Sequence, residues 1–148
     1  MVRRYEPKDC DACAAVFCSA FRAAPWNENW SPELARTRIT ELMNTPLSVG
    51  FVCEDAGQIL GFAAGRTLTY LYGREYVIDE FCVSAEMQGR GIGSRLLNSI
   101  ADEMRQQGIA SINLQTTKGY PSEQFYLKNG FQHSAGMITM YRVLDGGS

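Results

Sequence analysis

The sequence predicts a mixed α/β (α+β) fold, a mixed sheet with helices on both faces. Three observations carry that expectation. Hydrophobic residues change period along the chain, from helical repeats to strand-like runs, in the order β-αα-βββ-α-β-α-β. Glycine, proline, serine and asparagine stand where the period changes. The chain has 148 residues, 45% of them hydrophobic, which suits one compact domain with a sizeable core. A single domain over residues 1–148 is expected, with 144–148 as a flexible tail.

The elements follow in order. Val2 to Tyr5 alternates and opens the sheet. Pro7-Lys8-Asp9 starts a helix with Ala12, Val16, Phe17, Ala20 and Phe21 on one face. Ala23 to Asn29 is a loop. Ser31 caps a second helix with Pro32 at its first position and Glu33 in its first turn; it carries Leu34, Ile39 and Leu42 to about Asn44. Val49–Glu54 and Ile59–Tyr70 form a hairpin around Asp55-Ala56-Gly57-Gln58. After a turn at Tyr72-Gly73-Arg74, Tyr76–Val83 is apolar along much of its length and belongs inside the sheet. Gly91 to Gln107 is the clearest helix, with Ile92, Leu96, Leu97, Ile100 and Met104 on one stripe and Gly108 past its end. Ile109–Leu114 is a strand and Pro121–Lys128 a short helix. Phe131 and then Met137–Leu144 are expected to supply the last strands.

Composition narrows the function classes. The net charge is -2 with no run of like charges, so no nucleic-acid footprint is expected. No stretch of about 20 apolar residues suits a membrane span, and the charged Tyr5–Asp9 stretch follows the basic start where a signal would be apolar. A cytoplasmic protein is expected. The five cysteines, Cys10, Cys13, Cys18, Cys53 and Cys82, are odd in number and form no disulfide framework. Cys10-x-x-Cys13 lacks further ligands at zinc spacing, and His133 is the lone histidine, so no metal is expected.

The chemistry concentrates between Val83 and Ser94. A strand ends, a loop with Gly89, Gly91 and Gly93 follows, and a helix begins. A helix start presents unpaired N–H groups and the positive end of the dipole, and glycines admit a phosphate close to the backbone. Arg90 and Arg95 can add charge. The loop lacks the Lys-Ser/Thr of a nucleotide P-loop. As a dinucleotide fingerprint it carries Ser94 at the third glycine position, with no acidic residue about twenty positions on. A phosphorylated cofactor of another kind is expected.

Gln88-Gly89-Arg90-Gly91-Ile92-Gly93 resembles the Q/R-x-x-G-x-G/A loop of the GNAT superfamily of acetyl-CoA-dependent N-acetyltransferases. Phe125-Tyr126-Leu127-Lys128-Asn129-Gly130-Phe131 is similar to that family's F-Y-x-x-x-G-F segment, one helix, one strand and a loop downstream. The resemblance covers roughly Val49 to Leu144. It departs at Gly119, where many relatives carry an asparagine, and Thr116 or Thr117 can take over its contact to the cofactor.

The resemblance implies a mostly antiparallel central sheet with a splayed parallel pair, Tyr76–Val83 beside Ile109–Leu114, and acetyl-CoA as co-substrate in the gap. The backbone of Phe81, Cys82 and Val83 would pair with the pantetheine arm, with the Val83 N–H at the thioester oxygen. Gln88, Gly89, Arg90, Gly91, Ile92, Gly93 and Ser94 would hold the pyrophosphate. An amine would attack directly after losing a proton to a strand carboxylate, Asp79 or Glu80. Strict alternation sends these to opposite faces, so at most one would reach the amine; Asp79 is slightly favoured. Tyr126 would protonate the leaving thiolate. Cys82 has no neighbouring histidine to activate it and is expected to be an inert buried thiol.

The acceptor is less legible. Trp26, Glu28 and Trp30 in the first interhelical loop can bind a cationic amine through aromatic faces and a carboxylate, or they can pack on the core. Tyr70, Tyr72 and Tyr76 can line an opposite wall. The expected partner is a small-molecule amine, with an aminoglycoside, a polyamine, an amino acid or a peptide N-terminus all open and a homodimer left open as the assembly. A protein or peptide N-acetyltransferase and a non-catalytic acyl-CoA-binding module are the alternatives.

Overall fold

The computed structural model describes residues 1–145. Its elements run β1 (Val2–Arg4), a 3-10 turn (Pro7–Asp9), α1 (Cys10–Arg22), α2 (Pro32–Met43), β2 (Ser48–Asp55), β3 (Gln58–Tyr70) and β4 (Gly73–Val83). A second 3-10 turn (Ala85–Met87), α3 (Ile92–Gln106), β5 (Ser111–Leu114) and α4 (Pro121–Lys128) follow. The five strands lie in the order β1-β2-β3-β4-β5, antiparallel throughout except for the parallel β4–β5 pair.

Alternation along β2 and β3 divides the core. Val52, Phe62 and Ala64 turn to one face and pack against Cys13, Val16 and Phe17 of α1 and Ala35 and Ile39 of α2. Phe51 and Ala63 turn to the other face, against Leu96, Leu97, Ile100 and Met104 of α3. Both faces are thus covered by helices, as the sequence led one to expect. Ser31 caps α2, accepting from the Leu34 N–H at 3.0 Å, which satisfies one of the N–H groups a helix start leaves unpaired.

A charge clamp holds β1 to the start of α1. Arg3 donates through both Nη atoms to Asp9 at 2.9 Å and through Nε to Glu54 at 2.6 Å. Asp9, almost fully buried, also accepts the Glu6 N–H at 2.8 Å. The Arg3 guanidinium accordingly holds the Asp9 carboxyl below the usual range.

All five cysteines are free thiols, and four of them are buried. No helix among the described residues is long and apolar enough to cross a membrane.

The C-terminal expectation is corrected. Phe131 and Met137–Leu144 form no strand among the described residues. The Phe131 N–H donates to the Tyr126 carbonyl at 3.0 Å, so it finishes the turn after α4. Beyond it, apolar residues come as adjacent pairs, Met137-Ile138, Met140-Tyr141 and Val143-Leu144, split by Thr139 and Arg142. A strand of that pattern needs apolar cover on both faces, and these six side chains stand exposed. Of the tail expected at 144–148, residues 146–148 lie outside the described residues.

Candidate active site

The site begins at a β-bulge. Ala64 pairs with Glu80 and Gly65 with Ile78, which leaves Asp79 without a partner on β3. Parallel pairing with β5 ends at the same place, since Ile78 meets Leu114, the last residue of β5. From Asp79 to Val83, β4 therefore has one neighbour and one open edge. The Ser84 N–H donates to the Leu60 carbonyl at 2.9 Å. Alternation then turns the Phe81 and Val83 N–H groups away from β3 and toward the open edge. The Val83 carbonyl, on that same side, accepts from Gln88 Nε2 at 3.2 Å.

The open edge forms one side of a cleft of about 400 Å3. Phe81, Cys82 and Val83 line it, with Gln88, Gly89, Gly91, Ile92, Gly93 and Ser94 at one end and Phe125 and Tyr126 across from them. Gly91 precedes α3 in the left-handed region at φ 77, a conformation costly for residues with a Cβ. The first α3 bond from this end runs from the Arg95 N–H to the Gly91 carbonyl at 3.0 Å, so the N–H groups of Ile92, Gly93 and Ser94 are those the helix leaves unpaired. Gly93 serves packing as well: a Cβ there would come within 2.9 Å of the Phe125 ring.

The two arginines named with this loop behave differently from expectation. Arg90 is exposed and outside the lining. Arg95 turns its Nη2 to the Cys53 sulfur of β2 at 3.3 Å, so it is not aimed at the cleft. One α3 turn beyond the loop, its position falls on the flank facing β2.

A second cleft, of about 590 Å3, opens on the far side of Phe81 and Tyr126, which line both. Trp26, Glu28 and Trp30 lie along it with Asp79, Glu80, Thr116, Thr117 and Ser122. Both strand acids reach it, against the alternation argument, because the bulge at Asp79 resets the parity of β4. Ile78 and Phe81 belong to the α3 face and Cys82 to the α1 face, so one residue between them is out of step. The Asp79 carboxylate takes Nε and Nη2 of Arg66 at 3.2 and 3.4 Å. Glu80 accepts from Arg38 Nη2 at 3.1 Å. Burial lifts the Glu80 carboxyl above its ordinary range, against the opposing pull of Arg38.

Tyr126 faces both clefts, edge-on to Phe81 and Phe131. Burial, then the nearby Cys82 and Glu80, push its phenol pKa up, so the hydroxyl keeps its proton at neutral pH. The Cys82 thiol is buried and its pKa also goes up, by desolvation first and then by Glu80, Cys13 and Cys18.

Both tryptophans line the second cleft and also pack on neighbouring aromatic rings. Trp30 packs edge-on to Phe17, 4.7 Å between centroids, while its Nε1 donates to Glu28 at 2.7 Å. Trp26 lies between Phe21 and Tyr120, at 5.3 and 4.7 Å, so the interhelical loop meets the start of α4 above the junction of the two clefts.

The tyrosine wall is corrected. Tyr72 is 87% exposed at the tip of the β3–β4 hairpin, and neither Tyr70 nor Tyr72 lines either cleft. Seven steps along the extended chain separate Tyr72 from Asp79, roughly 23 Å at the usual strand rise. Tyr76 is fully buried and donates to the Val49 carbonyl at 2.7 Å. Thr116 and Thr117 line the second cleft and not the first. Arg38 was missed in the sequence. Its mark there is slight: it follows buried Ala35 by three residues, at the margin of the α2 apolar face.

Comparison with known proteins agrees with this geometry. Residues 15–131 match the model of the acetyltransferase (GNAT) family. A search of curated proteins gives no match. Among solved structures, a transcriptional regulator from Bacillus halodurans C-125 superposes with a TM-score of 0.77 at 20% identity, over 96% of this chain and 99% of that one. A protein described as a possible acetyltransferase from Clostridium difficile 630 gives 0.81 at 14% identity, over 97% of each chain. An aminoglycoside acetyltransferase from an uncultured soil metagenomic sample, solved with sisomicin, gives 0.75 at 17% identity, over 97% of this chain and 95% of the other. At these identities the structures speak for the fold.

Proposed function

Because the chain belongs to the GNAT acetyltransferase family, we propose that it moves an acetyl group from acetyl-CoA to the primary amine of a small molecule, by direct attack. The observation that carries this reading is the meeting of two clefts at Phe81 and Tyr126, one edged by free backbone and a glycine loop, the other by carboxylates.

The first cleft fits acetyl-CoA in its chemistry. The open β4 edge offers N–H groups to an amide-bearing arm, in the manner of an added strand. The start of α3 offers unpaired N–H groups and a positive dipole end to a pyrophosphate. When bound there, acetyl-CoA supplies an activated acyl group on sulfur. The Val83 N–H lies on the edge where it can stabilise negative charge developing on the acyl oxygen.

Glu80 acts as the base. An alkylammonium has a pKa near ~10 and must lose a proton before its nitrogen can attack. Burial raises the proton affinity of Glu80, whereas the Arg66 fork occupies Asp79. Tyr126 gives its proton to the departing sulfur and recovers one from solvent. In the balance, a C–N bond forms and a C–S bond breaks. The ammonium loses two protons, one to Glu80 and on to solvent before attack and the second by the same route once the C–N bond has formed. The solvent returns one proton to Tyr126 for the one given to the thiolate. The raised Cys82 pKa disfavours an acyl-cysteine route.

The test is N-acetyl product and free thiol measured together over a panel of amines. Equal amounts of both support the reading. Tight acetyl-CoA binding with no product from any amine refutes it in favour of a binding module.

A further inference from the structure

The second cleft holds a feature that deprotonating an amine does not require. A guanidinium stands beside the carboxylate. Arg38 Nη2 donates to Glu80 Oε1 at 3.1 Å, and the Arg38 side chain keeps 42% exposure against 16% for Glu80. A guanidinium has five N–H donors in a planar fork. Among the described residues Glu80 is the one group it is bonded to. Arg38 lines the cleft, so the rest of its fork is available to a ligand there. The other acid–arginine pair differs: Asp79 reaches the cleft, and its partner Arg66 does not.

The cleft therefore presents a negative and a positive group side by side. The complement of such a pair is a molecule whose ammonium and carboxylate are equally close. In an α-amino acid, ordinary bond lengths place the nitrogen and a carboxylate oxygen about 3 Å apart, which matches the Glu80–Arg38 spacing. A polyamine or an aminoglycoside offers positive charge alone; Glu28 and Asp79 along the cleft would attract it, but it leaves the free part of the Arg38 fork without a counter-charge. We infer that the acceptor is a free α-amino acid, with its amino nitrogen at Glu80 and its carboxylate on the Arg38 fork. This rests on the acetyl transfer proposed above and narrows its acceptor. It also gives Arg38 a part in timing. A substrate carboxylate that takes up the fork loosens its hold on Glu80, which raises the proton affinity of the base as the amine arrives.

The experiment compares matched amines: L-phenylalanine, its methyl ester and phenethylamine, with spermidine and kanamycin as polycationic probes. Charge-assisted hydrogen bonds to a carboxylate predict kcat/KM about 10–100-fold higher for the free amino acid than for its ester. Calorimetry on protein without acetyl-CoA should show the same order in dissociation constants, a readout that needs no turnover. In Arg38→Gln the acid-to-ester ratio should fall to within about threefold of one, and Arg38→Lys should restore part of it. Wild-type protein that uses the ester or phenethylamine as well as the acid overturns the inference, as does a ratio unchanged in Arg38→Gln. Preference for spermidine or kanamycin overturns it too, yet leaves acetyl transfer to an amine standing. Absence of product from every amine, with acetyl-CoA bound, defeats the underlying reading itself.

Discussion

Replacing Glu80 by glutamine separates the base from the scaffold. The substitution keeps shape and one acceptor oxygen for Arg38, and removes the proton acceptor. A positioned general base contributes about 10²–10⁴-fold, so kcat/KM for the amine should fall by that range. Stability should move the other way or hardly at all. Burial raises the folded-state pKa of Glu80 above its ordinary 4.5, so between those two values the native state binds more protons than the unfolded one. Stability is then lost as pH rises through that window, and the penalty persists above it. Glutamine removes the penalty and weakens a pair whose arginine is 42% exposed, so the net change should stay within about 1 kcal/mol. The assay is a pH–rate profile with thermal unfolding on the same samples. Wild-type kcat/KM should rise through two limbs, Glu80 and the amine; in Glu80→Gln the lower limb should vanish. Wild-type rates in the variant would shift the proton transfer to Asp79 or to water. A destabilisation of several kcal/mol would make Glu80 a structural ion-pair member instead.

Other groups give sharper single tests. Tyr126→Phe should lower kcat by roughly 10–1000-fold with little change in KM for acetyl-CoA, because a transition-state interaction is lost; wild-type turnover would assign the ring to packing. Gly91→Asn and Gly91→Asp share the strain of φ 77 and differ in charge, so calorimetry should show at least about tenfold weaker acetyl-CoA binding for aspartate if phosphates sit at α3. Equal affinities would remove the pyrophosphate from this loop. Trp26 lines both clefts, so Trp26→Ala should raise the KM of the amine and of acetyl-CoA together, whereas Trp30→Ala should raise the amine KM alone and, by losing its contact with Phe17, cost about 3 kcal/mol in denaturant unfolding. Asp9→Asn should destabilise the fold by about 2–3 kcal/mol at neutral pH through its buried bonds to Arg3. Since Arg3 lowers the Asp9 pKa, that contribution is whole above about 3.8 and is lost as pH falls further, so the gap between variant and wild type should close in acid.

What the sequence disclosed was local. Ser31 with Pro32 marked the start of α2, and the apolar stripe of α3 and the glycines before it marked a helix whose first N–H groups are left unpaired. These signals lie within one element and need no partner. The bulge at Asp79 was hidden because it depends on pairing between β3 and β4. Its trace is Gly65, isolated in a strand, where a Cβ would strike the Tyr76 ring and the Val77 carbonyl at 2.6 Å. Without it, alternation put Asp79 and Glu80 on opposite faces. Arg38 and Arg66 escaped because an ion pair joining residues 42 or 13 positions apart leaves no periodic mark. The tyrosine wall failed because strand-end aromatics at Tyr70 and Tyr72 say nothing of how far a hairpin projects. Met137–Leu144 misled because β-prone residues make a strand only beside a ladder partner, and among the described residues the one side-chain link there is Gln115 to Thr139 at 3.1 Å.

In the proposed reaction, two clefts meeting at Phe81 and Tyr126 carry an acetyl group from sulfur to nitrogen. The most direct measurement is a single-turnover reaction of the protein with acetyl-CoA and L-phenylalanine, quenched and resolved by mass. N-acetylphenylalanine and free CoA should appear together in equal amounts, with no acetyl group on the protein at any time point. Acetyl on Cys82 before product, or thiol release without any acetylated amine from the wider panel, would contradict it.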